Sequence, residues 1–304
     1  MRICSLLPGA TEIAFALGLG DEVVGVTHEC DYPPEAAKKP VVVQSLIDSH
    51  RLDSFEIDRQ VADLLRAGRS LYTIDHGAFR SAAPDVILTQ ALCDVCALDY
   101  NDVAKAAQGL PHEPTIVSLM PHCLTDVLED IRRVGAATKR HREADALVVK
   151  LRNRIGQVRQ RAAQSSSRPR MACIEWFDPI YAAGHWVPEM VALAGGKDGL
   201  GRKGEPSAKI GWTEILKFQP EVLVLMPCGF DAQRTLRESA LLQKLAGWDD
   251  LPAVKGGNVF AVNGHAYFSR PGPRLIEGLE VLAQIIHPEL FPWNPPPDAV
   301  RRMF

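Results

Sequence analysis

MRICSLLPGATEIAFALGLGDEVVGVTHECDYPP, residues 1–34, is the stretch that decides the fold of this chain. Residues 2–7 form a short apolar run that reads as a buried strand. Pro8 and Gly9 break it. Thr11 can then cap a helix, its hydroxyl accepting a bond from an otherwise unpaired backbone N–H. Ile13, Phe15, Ala16 and Leu17 give that helix an apolar face, and residues 18–20 stop it. Residues 23–27 read as a second strand. Strand, helix, strand is the unit of a parallel α/β sheet. On spacing alone it is equally an ordinary βαβ element with no function of its own.

The same stretch bears on location. A secretory leader needs a basic end, an apolar stretch of roughly 7 to 15 residues and a small-residue cleavage site. Here Pro8, Gly9, Thr11 and Glu12 interrupt the candidate stretch, and no cysteine sits in a lipoprotein-like context. No later segment approaches the roughly 18 consecutive apolar residues of a membrane span. The expectation is a cytoplasmic protein with no membrane partner.

With 304 residues the chain holds two domains of ordinary size, and a 46% hydrophobic fraction is that of a globular protein. A net charge of -3, with no basic stripe interleaved with aromatics, speaks against nucleic acid as a partner. The seven cysteines are odd in number and scattered, so free thiols are expected.

Further strand-like runs follow at 71–74, 86–90 and 115–120. A long polar helical segment then covers about residues 124–164. Leu124, Val127, Leu128, Ile131 and Val134 recur at helical spacing. After Gly135 a second stretch carries Ala144, Leu147, Val148, Leu151 and Ile155 among many arginines. Strands resume at 171–176, 222–226 and 259–262, and a last helix is expected over 274–286. Two α/β halves are thus separated by a long helix. About 22 helical residues span roughly 33 Å, enough for a strut between lobes, unless the helix packs on one domain only. A cleft between two lobes is a common small-molecule site.

The opening run continues with PDVILTQALCDVCALDY, EWFDPIYAAGHWVPEMVALAGG, GWTEILKFQPEVLVLMPCGF and NGHAYFSRPGPRLIEGLE, in that order. Together they resemble the vitamin B12-binding proteins of ABC importers, within the helical-backbone (class III) substrate-binding family that also holds siderophore and haem binders. The pair Cys93 and Cys96 with GHWVPEM is most similar to a cobalamin-binding branch. The resemblance implies two α/β lobes with mostly parallel central sheets, bridged by one long α-helix, and a ligand in the cleft. The expected organisation is an N-terminal lobe over 1–123, a helical segment with the bridge over 124–165 and a C-terminal lobe over 166–304.

Strand ends and the loops after them line such a cleft. The first lobe offers Pro8, Gly9, His28, Glu29, Cys30, Asp31, His76, Gly77, Cys93 and Cys96. The second offers Trp176, Phe177, Tyr181, His185, Trp186, His265, Tyr267, Phe268 and Arg270. A corrinoid is a large ring with apolar edges, amide arms, a nucleotide tail and a central cobalt. Aromatic side chains supply apolar area at little entropy cost, or simply fill a core. Arg270 suits amide oxygens or the tail phosphate. His185, as a neutral imidazole, is a candidate axial ligand to the cobalt, with loop-ordering hydrogen bonds as the alternative. Cys93 and Cys96 are open to a structural role, ligand contact, thiol chemistry or a zinc site with His76.

Two features depart from the importer pattern, the expected absence of a leader and the residues at the docking positions. The acidic residues that such proteins present to a transporter fall at Asn101 and Thr213, with Asp99, Asp102 and Glu214 nearby. No catalytic motif is found, and Glu189 reads as a carboxylate at a helix start. The expectation is therefore a non-catalytic corrinoid (cobalamin) binder acting as carrier, reservoir or sensor, with no separate metal site and doubtful transporter docking. A haem or siderophore binder, and a corrinoid-processing enzyme working through Cys93 or Cys96, are the alternatives.

Overall fold

The computed structural model describes residues 1–90, 100–292 and 294–304. The opening stretch forms β1 (Ile3–Ser5), the helix Pro8–Ala16 and β2 (Val23–Thr27). The helix starts earlier than the sequence suggests. Leu7 holds its N-cap position in extended conformation and Pro8 sits in its first turn. Proline fits there, because its fixed φ is helical and an N–H is not needed. Thr11 therefore lies inside the helix, and its hydroxyl donates to Ser5 Oγ at 2.8 Å instead of capping.

β3 (Val41–Ser45), β4 (Tyr72–Ile74), β5 (Val86–Gln90) and β6 (Thr115–Leu119) complete a six-stranded sheet in the order β4-β3-β2-β1-β5-β6. Only β3 and β4 pair antiparallel. The sequence reading assigns no strand to β3, whose apolar run VVV is too short to stand out.

The second sheet contains β7 (Arg170–Phe177), β8 (Ile180–Ala182), β9 (Lys197–Asp198), β10 (Ala208–Lys209), β11 (Val222–Leu225), β12 (Val259–Val262) and β13 (Val300–Arg302). Its order is β10-β8-β7-β11-β12-β13, with β9 also pairing β7. β7, β11 and β12 form its parallel centre. The DPIYAAGHW segment contributes β8, which folds back antiparallel on β7.

The helix Leu124–Ala137 runs through Gly135 rather than ending there. A Cβ on Gly135 would lie 2.5 Å from the Ala144 Cβ, so glycine is what lets the next helix cross this closely. That next helix is His141–Ala162, 22 residues long. It packs against Leu124–Ala137 at one end and against Val187–Leu193 and Leu275–Ile286 of the second half at the other. Ala144, Val148, Leu151, Val158 and Ala162, spaced by three, four or seven residues, form its buried stripe. Arg154 donates from Nε and Nη2 to Glu280 at 2.8 and 2.6 Å. One apolar core thus runs from Ile3 and Ile13 through Val148 and Leu151 to Met171 and Leu279. Separate clusters cover the other faces of the two sheets, around Ile174 and Trp248 and around Cys4 and Phe79. The fold class is the expected one, two α/β halves with mostly parallel sheets joined by a long helix.

Candidate functional site

The ends of β1, β2 and β3 in the first lobe face those of β7, β11 and β12 in the second, and polar groups cross between them. Pro8 and Gly9 follow β1. A Cβ on Gly9 would stand 2.5 Å from the carbonyl oxygen of Pro271, so the two backbones touch only because residue 9 is glycine. One turn on, Glu12 is buried in the Pro8–Ala16 helix. Arg274 Nη2 donates to Glu12 Oε1 at 2.6 Å and Nε to Oε2 at 3.1 Å, a two-pronged bridge between lobes. Burial pushes the Glu12 carboxyl upward against the pull of Arg274 and Arg270. Arg274 also lies over the Tyr32 ring, 3.9 Å from its centroid.

Beside this bridge, the loop after β2 carries His28, Glu29, Cys30 and Asp31. Arg270 Nη1 donates to Asp31 Oδ1 at 2.5 Å and Nη2 to the Glu29 carbonyl at 2.8 Å. His265 Nε2 stands 3.1 Å from Asp31 Oδ2, and the Arg270 guanidinium touches the same imidazole. Burial alone would raise the Asp31 pKa, but the bonds from His265 and Arg270 outweigh it and hold the carboxyl well below the usual range. Arg270 is 4% exposed and its Nε has no partner among the described residues, whereas Asp31 is 55% exposed. His28 is exposed and lies 3.4 Å from Glu29 Oε1. Burial works against Glu29 ionising, yet His28, His265 and Arg270 bring its pKa down.

At the end of β7 a register shift between Ile174 and Trp176 re-aims the strand. Phe177 then packs with Ile174 in the core, and Trp176 pairs across the strand with Tyr181. Trp176 is half-buried against Phe230, with ring centroids 5.3 Å apart. Its indole N–H is buried with no acceptor among the described residues.

Several residues expected on the cleft wall are packed inside instead. Trp186 is 5% exposed and donates its indole N–H to the Phe268 carbonyl at 2.8 Å. Tyr267 and Phe268 join the same core, and burial pushes the Tyr267 hydroxyl up to about 12. Phe177 is core for the reason above. The Cys30 Sγ sits 3.1 Å from Thr11 Oγ1 and 3.2 Å from Thr27 Oγ1, a buried thiol whose pKa burial raises. His76 and Gly77 fall beyond the far end of β4, which runs antiparallel and carries them away from the cleft. His76 lines an outer groove with Tyr72, Asp102 and Lys105. Cys93, Cys96 and Asp99 lie outside the described residues.

His185 adopts φ +50° and stacks on Trp186 at 5.5 Å. It faces His122 of the first lobe, ring centroids 6.3 Å apart. Burial first, and His122 second, lower its pKa, which keeps the imidazole neutral. Its Nδ1 is buried without a partner among the described residues. That chemistry suits a cobalt or iron ligand, although among the described residues no group of three or more His, Cys, Asp or Glu could hold a metal ion by itself. Nearby, Glu189 Oε2 accepts the Leu124 N–H at 3.0 Å, a further crossing between halves beyond its expected place at a helix start.

The sequence reading missed Glu12 and Arg274. The signal was a lone carboxylate inside the apolar ATEIAFAL run. It missed Arg234 and Glu238 as well, which lie on a polar surface helix with nothing local to mark them.

The periplasmic binding protein family model matches residues 3–265, and the chain belongs to that family. An uncharacterized ABC transporter substrate-binding lipoprotein, YvrC of Bacillus subtilis, is 27% identical over 300 residues, 95% of this chain and 81% of that protein. A vitamin B12-binding protein of Vibrio cholerae is 24% identical over 92% of this chain and 86% of its own length. Among solved structures, the periplasmic heme-binding protein RhuT from Roseiflexus sp. shares the fold with TM-score 0.70 at 22% identity, covering 95% of this chain and 98% of that one. The periplasmic vitamin B12 binding protein BtuF of Vibrio cholerae does so with TM-score 0.66 at 23% identity, covering 94% and 96%. Among the described residues no helix is long and apolar enough to cross a membrane.

Proposed function

We propose that this chain binds a corrinoid of the cobalamin type between its lobes and does not transform it. The observation that carries the reading is the half-exposed Asp31 carboxylate on the buried Arg270 and His265. It occupies donors that an oxygen-rich ligand can take over. A corrinoid offers many such acceptors in its amide arms and tail phosphate. The unpartnered Trp176 N–H is a further donor for an amide oxygen, and Tyr181 extends the aromatic wall beside it. The vitamin B12-binding relatives support the same ligand class.

A haem or ferric siderophore is the second reading. It is favoured by the Arg270 guanidinium and the His265 imidazole, whose N–H donors suit carboxylate arms, and by the His185 Nδ1, which has no partner among the described residues. The family's relatives are substrate-binding proteins, which supports binding over catalysis.

A role apart from a transporter, as a carrier or reservoir inside the cell, is part of the proposal. What supports it is the pair Asn101 and Thr213, both exposed in the first turns of the helices Tyr100–Ala107 and Trp212–Phe218. Of the neighbouring acids, Glu214 and Asp102 are engaged locally, Glu214 accepting the Gly211 N–H at 2.7 Å and Asp102 standing 3.8 Å from Lys105.

Titration of the purified protein with cyanocobalamin, haemin and a ferric hydroxamate, read by visible spectrum and thermal shift, tests the ligand. A saturable shift with cyanocobalamin is expected. No shift with cyanocobalamin beside a clear one with haemin replaces the corrinoid reading. Loss of the cyano group dependent on Cys93 or Cys96 makes the protein an enzyme. Cell fractionation tests the location, and recovery outside the cytoplasm returns the protein to import.

A further inference from the structure

Between β3 and β4 the first lobe sends out a long excursion, residues 47–70. Its base is closed by the antiparallel β3–β4 pair and by the Leu46 N–H donating to the Leu71 carbonyl at 2.8 Å. The excursion carries the helix Ser54–Arg66, begun by a capping box of Asp53 and Glu56. By chain order this helix belongs to the first lobe, yet it packs against β7 of the second. It leaves from the end of β3 that faces the cleft, so it spans the gap between the lobes.

Two side chains of the second-lobe helix Ala232–Glu238 hold it there. Arg234 donates from Nη1 to the Ser49 carbonyl and from Nη2 to the Leu52 carbonyl, each at 2.7 Å. Glu238 Oε2 accepts the Ser54 N–H at 3.0 Å, at the first turn of the excursion's helix. Arg234 is itself fixed, by Glu238 Oε1 at 2.9 Å and by the Phe230 ring 3.7 Å beneath its guanidinium. Phe230 in turn packs on Trp176. The attachment is thus polar, made by two side chains, and anchored on the aromatic pair that borders the proposed ligand site. Of the excursion's apolar side chains Ile47 and Ile57 are buried, but neither joins the apolar clusters of the two lobes, and Phe55 and Leu65 are 51% and 41% exposed.

We infer that residues 47–70 form a lid, latched by Arg234 and Glu238, which releases to admit a ligand between the lobes. Its gating role rests on the interlobe-binder reading above; its latching does not. A helix held mainly by a few charge-assisted hydrogen bonds detaches more readily than one held by core burial.

Hydrogen–deuterium exchange on the full chain tests the latch without any ligand. In Arg234→Ala and Glu238→Ala, amides within 47–70 are expected to exchange at least about tenfold faster, with those of His141–Ala162 and β11 unchanged. Glu238→Gln keeps an acceptor oxygen and is expected to restore most of the protection. Unchanged protection in 47–70, or a loss spread evenly over His141–Ala162, overturns the lid. Stopped-flow mixing with cyanocobalamin tests the gate. Association and dissociation are both expected to quicken at least about fivefold in Arg234→Ala, with affinity altered less. Faster exchange with unchanged rates leaves a latch but removes the gate. If cyanocobalamin binds neither protein, the corrinoid reading fails while the exchange result still decides the lid.

Discussion

Glu12–Arg274 and Asp31–Arg270 both tie the first lobe to the second, yet only one is sealed from solvent. The Glu12 and Arg274 side chains are 3% and 10% exposed, while Asp31 is 55% exposed. A buried pair cannot part without leaving a charge stranded in a poor solvent. The half-exposed Asp31 carboxylate can be rehydrated at small cost, and the buried Arg270 then keeps Glu12 at 3.7 Å and Glu29 at 3.9 Å. The first bridge therefore acts as a seam and the second as an exchangeable clasp. The pKa directions agree: burial raises Glu12, whereas the donors around Asp31 prevail over its burial and lower it.

The strongest way to break the comparison is to cut the seam. Glu12→Ala leaves Arg274 buried and unpaired, and is expected to cost about 3–5 kcal/mol in urea unfolding. A loss below about 1 kcal/mol makes the seam no different from a surface pair.

Gly9→Ala forces the same closure apart by sterics alone. Its Cβ meets the Pro271 backbone, which cannot swing aside as a side chain does. A cost of about 1–3 kcal/mol is expected, with a larger radius of gyration in X-ray scattering. An unchanged radius denies that the Gly9–Pro271 contact limits closure.

Asp31→Asn sharpens the other side. Stability is expected to change by about 1 kcal/mol or less at neutral pH, while cyanocobalamin binds more tightly because Arg270 is released. The acid limb supplies the sign. A depressed folded pKa contributes stability that is present above the unfolded value of about 3.8 and lost as pH falls through the folded pKa. The variant should lose that part of the acid dependence. Weaker cyanocobalamin binding in Asp31→Asn would show Asp31 to be a ligand contact rather than a clasp.

Asp130 sets the smallest effect. It is buried like Glu12, but its partner Arg133 is exposed and its Oδ2 has no hydrogen bond among the described residues. Burial raises its pKa to about 7. The folded state then takes up a proton that the unfolded state has released, so stability falls as pH rises from about 4 to 7. Asp130→Asn is expected to raise Tm by about 2–4 °C near pH 8 and by nothing near pH 4.

How far the sequence carried depended on whether the signal was local. β2, β5 and β12 were readable because uninterrupted apolar runs announce buried parallel strands. The bridging helix was readable from its stripe of Ala144, Val148, Leu151 and Ile155. The helix Ser54–Arg66 had a legible start in the D-x-x-E of Asp53 and Glu56, but with only Ser54 and Ile57 buried it lacks the continuous buried stripe of the bridging helix. At the site, loop position drew attention to Asp31, His265 and Arg270, which the structure brings into contact. It could not tell Trp176 from Trp186, since which indole finds a carbonyl depends on Phe268, 82 residues away. Nor could it show that Arg274 would be matched by Glu12, 262 residues earlier.

The bridging helix has a thermodynamic consequence. One apolar core passes through it into both lobes, so whatever motion admits a ligand keeps that core buried. Little apolar surface is left for closure itself to remove from water. The heat-capacity change of binding should then report the ligand's own buried area and that of the few side chains around it, with almost no contribution from the lobes.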